Sequence, residues 1–177
     1  MADANQGWDA QTALSMLPRL EEFNLDWLEE PVPADTAWPV WQKLAGKARM
    51  PLAAGENLRG EAMFGEALQS KAIGVFQPDL GKWGGFSGCV PLGRRVNKEG
   101  RLFCPHWLGG GIGLAASMHL KAAVGGPGYL EVDSNENPLR EALGGPLPDI
   151  VDGTVTLSDR PGLGIEPDIA GLHAFRR

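Results

Sequence analysis

The sequence predicts an α/β fold, a portion of a parallel TIM-like (β/α) barrel, and three observations carry that prediction. Short apolar runs alternate with segments of helical character along the chain. The runs return at a nearly constant step, and an ionisable residue stands at each one. Strand and helix in alternation imply a parallel sheet joined by crossover helices.

The apolar runs are "LDWL" (25–28), "PLAA" (51–54), "IGVF" (73–76), "RLFC" (101–104) and "GYLEV" (128–132). Between the first strand end and "LDWL", "TALSMLPRLEEF" (12–23) sets Leu14, Leu17 and Leu20 at helical spacing, with Pro18 expected to kink or delay the helix. "DTAWPVWQKLAGKA" (35–48) offers Asp35 as an N-cap. "GEAMFGEALQSK" (60–71) follows, and then "GFSGCVPLGRRVNKEG" (85–100), which ends on Gly100 as a C-cap. "GIGLAASMHLKAAVGG" (111–126) is the strongest helix and closes on a glycine pair. The 25 glycines and 14 prolines form no low-complexity tract; they punctuate the runs, as a chain of βα turns requires.

Glu29 follows the first run, Glu56 the second, Asp79 the third and His106 the fourth, while Glu131 lies in the fifth. The steps are 27, 23, 27 and 25 residues, and a step of 26 back from Glu29 lands on Asp3 in "ADANQ". In a (β/α) barrel such positions converge on one face, where active sites sit. An open doubly wound sheet would string them along a line. The regular step favours the barrel.

In "LDWLEEPVP" (25–33) an apolar run ends in two carboxylates and is stopped by Pro31 and Pro33. With Asp3 and Glu56, Glu29 makes three hard oxygen ligands with no Cys or His among them, a set suited to Mg²⁺, with Mn²⁺ as second choice. Three anions at close range repel, so a divalent cation would also make the cluster tolerable. A single acidic residue after a strand reads as well as a helix cap or a solvated charge; three in consecutive phase do not. Asp79 and His106 form a candidate dyad, the carboxylate fixing the tautomer of a general base able to work near neutral pH. The blander alternative is a packed histidine behind Pro105. Glu131 would face the pocket as a protonated donor, or else pair with Arg140. Lys82 would neutralise the pocket or pair with Asp79. His119, mid-helix, and His173, in the tail, are bystanders.

The chain has 177 residues, 43% hydrophobic and 21% charged, enough for a core of domain size. A net charge of −6 argues against nucleic acid and against an anionic membrane surface. Cys89 and Cys104 make neither a disulfide framework nor a thiolate metal pattern, so a reducing cytoplasm is expected. No run of 18 apolar residues exists, and "MADANQGWDA" lacks the regions of a signal peptide.

"DANQ", "WLEEP", "AAGEN", "QPDLGKWGG", "PHWLGGGIGLAASMHL" and "YLEVDSNENPLRE" resemble, in order, the strand-end motifs of the mandelate racemase group of the enolase superfamily. The match runs from Asp3 to about Asp168, and "PGLGIEPD" is similar to the C-terminal segment of those enzymes. The resemblance implies that Asp3, Glu29 and Glu56 are the metal ligands, Asp79 and His106 the catalytic dyad, and Glu131 the acid near the substrate. It implies Mg²⁺-dependent removal of the proton beside a carboxylate through an enediolate, on a small hydroxy acid or sugar acid. The histidine site looks more like the acid-sugar dehydratases than the muconate cycloisomerases, which rely on a lysine at the sixth strand.

Family members also carry an N-terminal capping domain and a second base, often in a Lys-x-Lys motif on an early strand. By the resemblance, residues 1–177 are the C-terminal part of the barrel domain, truncated at the N-terminus: strands four to eight plus the end of strand three, with the capping domain missing. A barrel needs roughly 200 residues or more, so this length is not expected to close one. Truncation is the favoured expectation; a subunit of a split enzyme and two copies completing each other are the others, with a homo-oligomer or a pairing with the missing N-terminal half as the assembly. A catalytically incompetent assembly module is the alternative function. A phosphate-binding barrel, suggested by the glycine loops at 84–88 and 109–113, is a third. Arg59 and Trp107 are candidate specificity residues.

Overall fold

Adjacent apolar residues in the short runs face opposite ways, one set under the helices and the other on the opposite face of a sheet, and a computed structural model describing residues 1–145 and 149–175 has this arrangement. The elements are β1 (Ala2–Asp3), α1 (Ala10–Glu21), β2 (Leu28–Glu29), α2 (Trp38–Ala45), β3 (Leu52–Ala54), α3 (Gly60–Ser70), β4 (Ile73–Phe76), α4 (Gly85–Lys98), β5 (Leu102–Phe103), α5 (Gly111–Val124) and α6 (Pro138–Gly144), followed by a 3₁₀ turn at Gly171–Phe175. The five strands form one sheet in the order β1-β2-β3-β4-β5, every pair parallel. Sequence neighbours are therefore spatial neighbours, as in a barrel wall. Among the described residues, β1 and β5 are the edges of this sheet.

The helix-facing side carries the main core. Leu28, Leu52, Ile73, Phe76 and Phe103 from the strands pack with Leu17, Trp41, Leu44, Phe64, Leu68, Leu92 and Leu120 from the helices. The other face carries a smaller cluster of Trp27, Ala53, Val75 and Cys104. Trp27 is capped by Tyr129, whose ring stacks on it at 6.0 Å. Glu29, two residues beyond Trp27, belongs to the same smaller face by strand alternation. Strand pleat thus couples the inner lining to the carboxylates at the strand ends.

Helix boundaries follow local chemistry. Asp9 caps α1 by accepting from the Thr12 amide, and the helix runs through Pro18 without ending there. Gly100, at φ +71°, lets Arg101 N–H return to the Val96 carbonyl and closes α4 as expected. The glycine pair after α5 does the same, Gly125 N–H reaching the Lys121 carbonyl.

Two sequence expectations need correction, and one helix was not anticipated. Asp35 is not the cap of α2: the helix starts at Trp38 behind Ala37, where Pro39 in the first turn sets the geometry. "GYLEV" makes no strand. It lies along the edge at β5, but Glu131 N–H reaches Pro105 O at 3.4 Å and Tyr129 N–H turns to the Cys104 thiol at 3.2 Å, so no ladder forms. The stretch "NPLREALG" is helical as α6, with Asn137 accepting from the Arg140 amide and Pro138 in the first turn.

Candidate active site

The sheet brings its polar residues to the carboxyl ends of adjacent strands, and His106 is the centre of the arrangement. It follows β5 by three residues and is buried with its ring between two other strand ends. Nδ1 lies 2.9 Å from Asp79 Oδ2, and Nε2 lies 2.8 Å from Glu56 Oε2. Glu131 Oε2 stands 3.7 Å from the same Nε2 and accepts from the Trp107 amide at 3.1 Å. Asp79 is fixed in turn, because its Oδ1 accepts from the amides of Gly81 (2.8 Å) and Lys82 (3.1 Å). Trp107 is anchored by its indole N–H on the Gly110 carbonyl at 2.9 Å.

These contacts set the charges. Burial alone would lower the pKa of His106, but the hydrogen bonds to Asp79 and Glu56 and the nearby Glu131 outweigh it and push the imidazole up to about 10. Glu56 is pulled down to about 2, first by the hydrogen bond from His106 and then, against desolvation, by Lys82. Asp79 is buried, which opposes its charge, yet the bond to His106 and the two amides hold it below the usual carboxylate range. Burial pushes Glu131 up, with His106 acting against it. These contacts favour the charged form of the ring.

The other carboxylates are arranged differently. Glu29, buried, accepts from the indole N–H of Trp27 at 3.3 Å, and desolvation raises its pKa against the hydrogen bonds from Gln77 and Trp27. Asp3, exposed at the end of β1, is in register with Glu29 and accepts from the Asn5 amide at 2.7 Å. Among the described residues no group of three His, Cys, Asp or Glu side chains stands ready to hold a metal ion. The six predicted groups thus divide: Glu56, Asp79, His106 and Glu131 meet, while Asp3 and Glu29 lie at neighbouring strand ends without joining them. Each ligand candidate has donors of its own: the Asn5 amide on Asp3, the Trp27 indole on Glu29, and His106, Lys82 and Asn57 on Glu56.

The donor chemistry nevertheless fits a hard divalent cation. Glu30, beside Glu29, is buried to 2% exposure with a left-handed backbone at φ +38°. Its Oε1 has no hydrogen-bond partner, and burial with the repulsion of Glu56, Asp3 and Glu29 pushes its pKa to about 7. Four oxygen-bearing side chains therefore share one region with surplus negative charge, and all are ligand types that Mg²⁺ takes.

Sequence reading missed Glu30, Asn57 and Gln77. Glu30 had a signal, the doubled acid before Pro31; Asn57 and Gln77 had none beyond adjacency to the strand ends. Lys82 pairs with Glu56 at 2.6 Å through its ammonium, not with Asp79, which holds only its amide. Arg140 pairs with Asp133 at 3.2 Å, which removes it as a partner for Glu131. His119 and His173 lie on α5 and the 3₁₀ turn, away from these contacts.

A parallel βα sheet with a histidine and several carboxylates at the carboxyl ends of its strands defines a barrel-type enzyme domain built for acid–base chemistry. The chain belongs to the enolase C-terminal domain-like family, whose model matches residues 1–171. It is similar to D-galactarolactone cycloisomerase of Agrobacterium fabrum, with 35% identity over 99% of this chain and 48% of that protein. A mandelate racemase/muconate lactonizing enzyme from Bordetella bronchiseptica RB50 superposes with a TM-score of 0.95 at 54% identity, over 98% of this chain and 49% of that one. L-Talarate dehydratase from Polaromonas sp. JS666, solved with Mg and L-glucarate, superposes at 0.80 with 30% identity, over 93% of this chain and 43% of that one. The mandelate racemase resemblance and the partial-barrel expectation hold. The chain spans about half the length of the curated relatives it matches, which are dehydratases and a cycloisomerase. Among the described residues no helix is long and apolar enough to cross a membrane.

Proposed function

We propose that this chain supplies the metal and acid–base half of a site that removes water from a sugar acid, in a cytoplasmic enzyme that uses Mg²⁺ or Mn²⁺. The observation that carries the reading is the His106 ring held between Asp79 and Glu56, with Glu131 beside it. Asp3, Glu29 and Glu56 would hold the cation. When bound, it would supply positive charge that makes the carbon next to a substrate carboxylate more acidic.

His106 begins the reaction charged, and this favours dehydration over racemisation. The proton beside the carboxylate passes to a base on the other face of the substrate. The ring gives its own proton to the departing β-hydroxyl, which leaves as water while the carbon–carbon double bond forms. Asp79 keeps Nδ1 protonated and Nε2 directed into the site. Glu131, its pKa raised by burial, donates to an oxyanion when protonated. The sugar-acid names of the relatives support this substrate class.

The test uses the hydrogen bond from Trp27 to Glu29 as a reporter. Titrating Mg²⁺ into the chain is expected to give a saturable change in tryptophan emission that Glu29→Gln abolishes. No saturable change in the wild type overturns the metal reading. A second reading, an assembly module, is favoured by the sheet edges at β1 and β5, which would accept strands from a partner. Sedimentation showing a defined complex with an N-terminal half supports it.

A further inference from the structure

Three donors engage the carboxylate of Glu56, two of them on one oxygen. Its Oε1 accepts from Asn57 Nδ2 at 2.8 Å, and its Oε2 accepts from both His106 Nε2 at 2.8 Å and Lys82 Nζ at 2.6 Å. Both sites on Oε2 are taken, so a cation that coordinates Glu56 through this oxygen takes the place of one of its two donors. The three donors of the carboxylate are not equally free to leave. His106 is gripped from behind by Asp79. Asn57 is shared with Glu30, whose Oε2 accepts from the same Nδ2 at 2.8 Å. Lys82 alone has a flexible stem, and 35% of its side chain is exposed. Its backbone is nevertheless held in the turn after β4 by Asp79 Oδ1, which keeps the ammonium within reach of Glu56.

We propose that Lys82 is a positioning residue whose ammonium holds Glu56 and is exchanged for the divalent cation when that cation binds. The inference rests on reading Glu56 as a metal ligand. An ammonium is a compact, strongly hydrated charge, so its return to solvent at the mouth of the site costs little compared with uncovering a buried group. One cation replaces another on the same oxygen, and Glu56 never faces its neighbouring carboxylates unneutralised. The hydrogen bond to His106 is the weaker candidate for exchange, since the ring is buried and held in place by Asp79 and breaking the bond would strand a buried polar group.

The experiment measures Mn²⁺ binding to the full chain by the loss of the free-ion electron paramagnetic resonance signal. Lys82→Met is expected to bind roughly tenfold more tightly than the wild type, the size of one partly exposed charge-assisted hydrogen bond. Lys82→Arg, which keeps the charge, is expected to show no such gain. A gain in affinity does not arise from misfolding. In the Glu56→Gln background the Lys82→Met gain should vanish, as a double-mutant cycle requires of two groups that act on each other. Equal, saturable binding by wild type and Lys82→Met overturns the exchange and leaves the metal reading standing. A gain that persists without the Glu56 carboxylate overturns it too, as a general charge effect. Absence of saturable binding in every variant overturns the ligand reading and the exchange together.

Discussion

His106 Nε2 lies 2.8 Å from Glu56 Oε2 while Asp79 Oδ2 holds the opposite ring nitrogen at 2.9 Å, so a single imidazole bridges the ends of adjacent strands. The bridge links protonation to folding. The ring is raised from its ordinary 6.5 to about 10, so its contribution to stability is fully present below pH 6.5 and is lost as pH rises toward 10. Glu56 is lowered from 4.5 to about 2, so its contribution is present above pH 4.5 and is lost as pH falls toward 2. Thermal melts in chelator should therefore show a maximum between about pH 4.5 and 6.5. His106→Asn should flatten the alkaline limb. An unchanged alkaline limb in that variant would show that the bridge does not control it.

Asp79 serves two partners at once, the ring through Oδ2 and the Gly81 and Lys82 amides through Oδ1. Asp79→Asn removes the charge and keeps the shape. The His106 ring, followed by its carbon-bound proton signals in magnetic resonance, is expected to titrate about 1 to 3 pH units lower than in the wild type. Stability at neutral pH should fall by about 1–3 kcal/mol, since a buried network loses a charged acceptor. A titration midpoint that stays in place would mean that Glu56 alone holds the imidazolium.

The strand ends were legible because a barrel repeats: one apolar run and one crossover helix take a similar number of residues each time, so Glu29, Glu56, Asp79 and His106 announce themselves by spacing. What each carboxylate touches was not legible. Whether Lys82 turns to Asp79 or to Glu56 depends on side-chain rotamers, which sequence spacing does not encode. The second partner of His106 was not legible for the same reason, since it depends on a second carboxylate arriving at Nε2. In the fold, "GYLEV" reads as a strand because its residues suit one, but a strand exists only where a neighbour's carbonyls meet its amides, and Tyr129 meets a thiol. The α6 helix was missed because its signal lies in Asn137 and Pro138 at the start, not in an apolar period that seven residues are too few to display.

Glycine positions in two helices should respond in opposite directions to the same change. A Cβ on Gly113, in α5, would overlap the indole of Trp107, which is pinned through Nε1 to Gly110. Gly113→Ala is expected to destabilise the chain by about 1–3 kcal/mol in spite of alanine's helix preference, and to shift Trp107 emission as the ring is displaced. A Cβ on Gly65, in α3, meets nothing within 4 Å. Gly65→Ala should stabilise by up to about 1 kcal/mol. Denaturant melts of the two variants check the pair, and a stabilised Gly113→Ala would show that Trp107 does not occupy that space.

Both cysteines should be silent in the native chain. Cys89 is fully buried on the inner face of α4, with its thiol 3.4 Å from the Trp83 carbonyl, and desolvation pushes its pKa to about 11. Cys104 lines the smaller core face, accepts from the Tyr129 amide, and is raised by the same cause. Thiolate is the reactive species, so burial reduces reactivity twice, by excluding the reagent and by keeping the proton on sulfur. A disulfide-exchange reagent at pH 8 is expected to label neither thiol within minutes in the folded chain and both in denaturant. The two differ in depth of cover: Cys89 faces the main core from the buried side of α4, whereas Cys104 is shielded on one side by the 128–132 segment, which forms no strand ladder. Over hours Cys104 should therefore be labelled first, as that segment opens locally without global unfolding. Labelling of Cys89 before Cys104 would contradict this order, and with it the layering of helix core over inner face.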